Sequence, residues 1–267
     1  MDRAMSVGIE MDDGLARLTL RRGEAGNAID LDMARGLLDA ARTCAAERVR
    51  AVLLTGEGKS FCVGGDLGEF SRLSGAALEK HLTAVTDALH DALRTFAASD
   101  APMVAAVQGA VAGAGLGLAA SADVTLAADT ASFTAAYTGI GYSPDAGVSW
   151  FLPRLVGPKR ALDLLLTNRR ITGAEAADIG LVSRVVAPAR LTAEAARTAE
   201  ALRRGPTAAF GATRRLVAAG LTADLGPHLD REARAIAAAA ASDAGQEGVA
   251  AFLGKRAPDF TRGASNS

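Results

Sequence analysis

Two glycine-rich stretches hold the residues best suited to chemistry on a developing anion: Phe61-Cys-Val-Gly-Gly-Asp66 and Gln108-Gly-Ala-Val-Ala-Gly-Ala-Gly-Leu-Gly117. Each is expected to follow a β-strand. Glycine lets backbone N–H groups approach a ligand closely, and the second stretch is expected to open a helix whose terminal amides and dipole favour negative charge. One amide from each turn makes an oxyanion hole, which stabilises charge developing on a carbonyl oxygen. The same glycines could equally serve tight turns and strand–helix packing. A dinucleotide site is a further reading of Gly113-Ala-Gly115, but the third glycine of that fingerprint falls on Leu118.

Other constellations are weaker. Gly141-Tyr-Ser143 begins like the nucleophile elbow of a serine hydrolase, yet its fifth position is Asp145 in place of glycine. His81 and His228 share no metal-ligand spacing with acids or cysteines, and no His-Glu-x-x-His pattern occurs, so no metal is expected. Cys44 and Cys62 make no disulfide framework and point to free thiols in a reducing cytosol. With 29 basic against 30 acidic residues and a net charge of −1, no general attraction to nucleic acid or to an anionic membrane is expected.

The elements that must position these turns follow from periodicity. Val7, Ile9 and Met11 alternate, Asp12-Asp13-Gly14 supplies a turn, and Leu15 to Leu20 returns, which is a hairpin. Residues Ile29 to Arg48 read as a helix with Asp30 as N-cap, and Ala51 to Thr55 as a buried strand ahead of the first turn. From Ala76 to Ala98, Leu78, Leu82, Val85, Leu89, Leu93 and Phe96 recur at helical spacing, with His90 on the flank of that stripe. Met103 to Val107 and Val124 to Ala127 are further strands. The recurring strand–helix order calls for a mostly parallel sheet and an α/β fold class.

After Pro158 strand signals fade except at Leu181 to Val186, and alanine-rich helices take over, one opening with the capping box Thr172-Gly-Ala-Glu175. At 267 residues and 49% hydrophobic, the chain can bury one full core with a helical appendage. The most apolar stretch, Met103 to Ala122, is interrupted by four glycines, Gln108 and Ser121, and reads as buried core rather than a membrane span. Residues Met1 to Glu10 carry Asp2 and Glu10 without an apolar run, so no signal peptide is expected and the location is cytoplasmic.

Several segments together carry a family resemblance: Phe-x-x-Gly-x-Asp at 61–66, the Gly-x-Gly helix start at 113–115, Phe133 through Gly147, Leu152-Pro-Arg-Leu-Val-Gly157, Leu166-Thr-Asn168, Gly180-Leu-Val182 and Phe252-Leu-Gly-Lys255. In order and spacing they resemble the enoyl-CoA hydratase/isomerase (crotonase) superfamily across nearly the whole chain. The resemblance implies a crotonase-like spiral of ββα units over residues 1–195. A helical trimerisation region would follow over 196–267, and the assembly would be a homotrimer or a hexamer. It implies an acyl-CoA thioester substrate, with coenzyme A present as part of that substrate and no separate cofactor.

Carried over by position, the oxyanion amides fall on Gly65 and Ala114, the latter in place of the commoner glycine. Ala28, Asp66 and Leu67 resemble the region lining bound CoA. Phe252 and Lys255 resemble the aromatic and lysine that reach a neighbouring subunit's CoA; a solvated helix position is the other reading of Lys255. Family hydratases use two glutamates, and the matching positions here are Gly117 and Tyr137, so that mechanism is in doubt.

Asp145, in Gly139-Ile-Gly-Tyr-Ser-Pro-Asp-Ala-Gly147, resembles the acid of family isomerases that moves a proton between C2 and C4 of an enoyl-CoA or rearranges ring-epoxidised phenylacetyl-CoA. The segment Gln246 to Phe260 is similar to the latter enzyme too. Asp145 could instead cap a helix starting near Ala146. His90, Tyr137 and Asp145 together also resemble the histidine base, tryptophan and aspartate nucleophile of 4-chlorobenzoyl-CoA dehalogenase. That leaves dehalogenation or thioester hydrolysis as the alternative, and a non-catalytic acyl-CoA binder as a third reading.

Overall fold

A computed structural model describes residues 5–261; Met1–Ala4, with the Asp2 of the expected leaderless start, and residues 262–267 lie outside the described residues. Strands β1 (Val7–Asp12) and β2 (Leu15–Leu20) form the expected hairpin. Its two turn residues, Asp13 and Gly14, have φ of 45° and 81°, the left-handed pair that a two-residue turn matched to strand twist requires. Helix α1 (Leu31–Ala46) starts where Asp30 accepts a 2.7 Å bond from the Met33 N–H, and it buries Met33, Ala34, Leu37 and Leu38. Strand β3 (Ala51–Gly56) then lies parallel to β2.

A short helix α2 (Leu67–Phe70) and the long α3 (Gly75–Ala98) follow, and α3 lays its buried stripe of Val85, Leu89, Leu93 and Phe96 beside α1. Beyond them come β4 (Met103–Val107), β5 (Ala110–Ala112), α4 (Ala114–Ser121), β6 (Val124–Ala128) and β7 (Ser132–Thr134). The apolar stretch 103–122 is therefore interior strand and helix. No helix among the described residues is long and apolar enough to cross a membrane.

Helices α5 (Val148–Val156) and α6 (Pro158–Thr167), strand β8 (Ile171–Thr172), helix α7 (Gly173–Asp178) and strand β9 (Arg184–Val186) complete the core layers. The main sheet runs β1-β2-β3-β4-β6-β9 and is parallel from β2 onward, as a repeated strand–helix order demands. A second sheet, β5-β7-β8, stands apart from it. The helix expected to open near Gly113 is α4, but β5 falls within the expected turn ahead of it, and Ile171–Thr172 carries no strand signal in the sequence. Strands of two or three residues are too short to show alternation. The strand expected over Leu181–Val186 narrows to β9, and Thr172 caps α7 as expected, accepting a 3.2 Å bond from Glu175.

Helix α8 (Pro188–Arg203) packs on β3, β4 and β6 through Leu191, Ala195 and Ala199. The remaining helices α9 (Thr207–Gly220), α10 (Leu225–Ala241) and α11 (Asp243–Leu253) contribute little to the core, each burying one residue or none. Arg50 ties them to it, donating to the carbonyls of Arg203, Gly205 and Phe260 at 2.7, 2.7 and 3.0 Å. Together they leave Val217, Leu225, Ile236, Val249 and Phe252 more than half exposed.

Candidate active site

The first glycine turn is fixed by a buried amide side chain. Asn27, fully buried and at φ 55°, donates to the carbonyls of Glu57, Ser60 and Phe61 at 2.9–3.0 Å and accepts from the Arg22 N–H. Backbone bonds then stitch the two turns together: Phe61 N–H to Gln108 O, Cys62 N–H to Ala110 O, and Ala112 N–H to Cys62 O. On the other side Ile29 donates to Gly64 O, and Asp66 donates to Ile29 O. Successive amides of an extended strand point opposite ways, so these bonds turn the intervening Gly65 N–H away from Ile29.

Ala114 is the first residue of α4, where a helix has no internal acceptor for the N–H. Gly113 precedes it at φ 50° and ψ −125°, a conformation closed to residues with a Cβ. Ala114 itself is not among the positive-φ residues, so its methyl costs nothing in backbone strain. Among the described residues, neither the Gly65 nor the Ala114 amide donates to a protein acceptor. Both line a cavity of about 810 Å³, bounded on its apolar side by Phe70, Leu78, Leu82 and Leu89 of α2 and α3.

Tyr137 and Asp145 face the same cavity. The Tyr137 hydroxyl donates a 2.6 Å bond to Asp145 Oδ1. Burial first, and then the neighbouring Asp145 charge, drive the phenol well above the ordinary tyrosine range, so it stays a protonated donor. Asp145 does not cap a helix: α5 begins at Val148 behind Gly147, and the carboxylate is turned to Tyr137 instead. The peptide carbonyl of Asp145 closes the turn by accepting from Val148 N–H at 2.9 Å.

Within that turn Ala146, fully buried at φ 48°, and Gly147, at φ 72°, are both left-handed. The Ala146 N–H donates to His90 Nε2 at 3.1 Å. Below it lies Gly117, where an added Cβ would stand 2.3 Å from the Ala146 carbonyl oxygen. Position 117 thus has no room for a glutamate in this structure. The backbone that carries Asp145 occupies the space such a side chain would need.

The expected CoA-lining residues are placed in part. Leu67 lines the cavity. Asp66 caps α2 by accepting from Glu69 N–H at 3.0 Å and pairs with Arg22 at 2.8 Å, and the Arg22 hydrogen bond holds its carboxyl below the usual range. Ala28 is buried, with its carbonyl accepting from the same guanidinium. Arg22 and Asn27 were not foreseen as site residues, because nothing local marks which arginine or asparagine will reach across the fold. Glu79, exposed on α3, also lines the cavity without having been singled out.

Phe252 lies in the last turn of α11 and Lys255 just beyond its end, both exposed, and within one chain they do not line the cavity. Cys62 is sealed beneath the turns, its thiol pushed up to about 12 by burial, and Cys44 to about 11 by the same cause; neither is a nucleophile at neutral pH. Among the described residues no His, Cys, Asp and Glu side chains gather as a metal-binding group.

The family model described as "Enoyl-CoA hydratase/isomerase" matches residues 10–263. A Rhodobacter capsulatus protein named "Probable enoyl-CoA hydratase" is 41% identical over 256 residues, covering 96% of this chain and 98% of that one. The 1,2-epoxyphenylacetyl-CoA isomerase of Escherichia coli is 33% identical over 253 residues, covering 94% and 96%. The crystal structure of an enoyl-CoA hydratase from Polaromonas sp. JS666 superposes with a TM-score of 0.89 at 31% identity, covering 95% of this chain and 98% of that one.

Proposed function

This chain belongs to the enoyl-CoA hydratase/isomerase family and is an acyl-CoA enzyme, and from that premise we propose that it moves a double bond within an enoyl-CoA, with Asp145 as the proton shuttle. The thioester carbonyl oxygen would accept the Gly65 and Ala114 N–H groups, which lowers the energy of the enolate formed when a C2 proton leaves. Asp145 takes that proton as carboxylate, becoming the acid. Returning it at C4 regenerates the carboxylate and leaves the double bond conjugated with the thioester. Tyr137 holds one carboxylate oxygen, so the other is free to carry the proton.

The observation that carries this reading is the 2.6 Å Tyr137–Asp145 bond on the wall of the cavity into which both oxyanion amides open. A two-glutamate hydration lacks support, since Gly117 and Tyr137 supply no carboxylate and Ala146 fills the space above Gly117. Hydrolysis or dehalogenation with His90 activating water would need the Nε2 lone pair that Ala146 N–H already occupies. A non-catalytic binder would have no use for a carboxylate held in this way.

The test is Asp145→Asn assayed with 3-enoyl-CoA in deuterated water. Turnover and deuterium incorporation should fall together by roughly 10²–10⁴-fold with KM little changed; undiminished turnover overturns the reading. The reading extends to assembly as a trimer, or a hexamer of two trimers, through the exposed apolar face of α9–α11. Phe252 and Lys255 would then reach a neighbouring chain's CoA. Work in the cytoplasm completes it.

A further inference from the structure

We propose that His90 is a positioning residue for Asp145, acting through the backbone of the turn rather than on substrate or water; this rests on the reading of Asp145 as the proton shuttle. The turn after Asp145 is intrinsically unfavourable. Ala146 and Gly147 stand in the left-handed region one after the other, at φ 48° and 72°, and an alanine enters that region only where its surroundings impose it. Three contacts do so. Val148 N–H closes the turn on the Asp145 carbonyl, α4 packs beneath Ala146 at Gly117, and His90 Nε2 accepts the Ala146 N–H at 3.1 Å.

The third contact is the one supplied by a side chain. Ala146 is fully buried, so without His90 its N–H would lack water as well as a protein acceptor. Relieving that deficit means rotating the Asp145–Ala146 peptide, which swings the carboxylate off Tyr137 and away from the cavity. The bond also defines the imidazole's state. Nε2 accepts, so it carries no proton and its lone pair points at backbone, which leaves that nitrogen unable to take a proton from water without breaking the turn's anchor. His90 belongs to α3, whose Leu82 and Leu89 form the apolar wall of the cavity, so one helix both shapes the acyl pocket and sets the base.

His90→Ala and His90→Gln, assayed beside Asp145→Asn, test the assignment. A glutamine oxygen can accept the Ala146 N–H but cannot act as a base. His90→Ala should lower kcat by roughly tenfold or more with KM within about twofold, and amide exchange at Ala146 should speed up. His90→Gln should recover most of both. An unchanged kcat in His90→Ala overturns the proposal, as does a His90→Gln enzyme no better than His90→Ala, which would assign chemistry to the imidazole itself. Activity surviving in Asp145→Asn would instead defeat the shuttle assignment, whatever the His90 variants do. A His90→Ala chain that fails to fold leaves the His90→Gln result to decide, because slowed turnover with Ala146 exchange still slow in that folded variant overturns the proposal.

Discussion

Gly65 and Ala114 offer backbone amides set by strand bridges and a helix start, whereas Asp145 offers a side chain set by Tyr137, His90 and a left-handed turn. The first half of the site is a consequence of chain path. Its donors survive almost any side-chain change that leaves the path alone, which is why an alanine at 114 is harmless. The second half is a consequence of side-chain identity, and each of its parts can be replaced singly. On the proposed reading, a fold built this way can keep its hold on a thioester while its proton chemistry changes.

The sharpest way to break the comparison is to delete a backbone donor without touching the path. Ala114→Pro does so, because the first position of a helix tolerates proline while the N–H disappears. Turnover should fall by roughly 10²–10³-fold with near-native circular dichroism, and full activity would show that this amide is no oxyanion donor. Gly117→Glu tests whether the two halves can be rewritten independently. Steric conflict with Ala146 predicts a loss of about 1–3 kcal/mol in urea unfolding and lower isomerase turnover with no hydratase gain; a stable, hydrating variant would refute the steric account.

Smaller effects sharpen it further. Tyr137→Phe keeps the ring and removes the hydrogen bond to Asp145, so kcat should drop about tenfold, near 1.4 kcal/mol, at similar melting temperature. Equal rates would mean the hydroxyl does not hold the base. Beneath the backbone half, Cys62 has a folded pKa of about 12 against an ordinary 9.0. The folded value is the higher one, so stability is intact below pH 9 and lost as pH rises toward 12. Unfolding free energies from urea titrations at pH 8 and 10 should differ by on the order of 1 kcal/mol, less so in Cys62→Ala; an identical pH dependence in that variant removes Cys62 from the account.

Much of the frame was legible in the residues. The Asp13-Gly14 turn, the Asp30 cap and the apolar stripe of α3 are local patterns, set by backbone sterics and by periods of two and 3.6 residues. The short strands β5 and β8 were hidden because pairing partners, not alternation, define them. Asn27 and Arg22 were missed for a related reason: their meaning lies in what they reach. Asn27 bonds carbonyls 30 to 34 residues away, and Arg22 bonds an aspartate 44 residues away.

By itself the sequence determined the kinds of group available, two glycine turns able to expose amides and an aspartate between glycines, because those depend on residue type and nearest neighbours. Only the tertiary structure decided that Asp145 meets Tyr137 rather than capping α5, that His90 faces a backbone amide 56 residues away, and that Gly117 has no room for a glutamate. Hydrogen bonds and close approaches between distant segments depend on how whole layers pack, and no local pattern of residues records them.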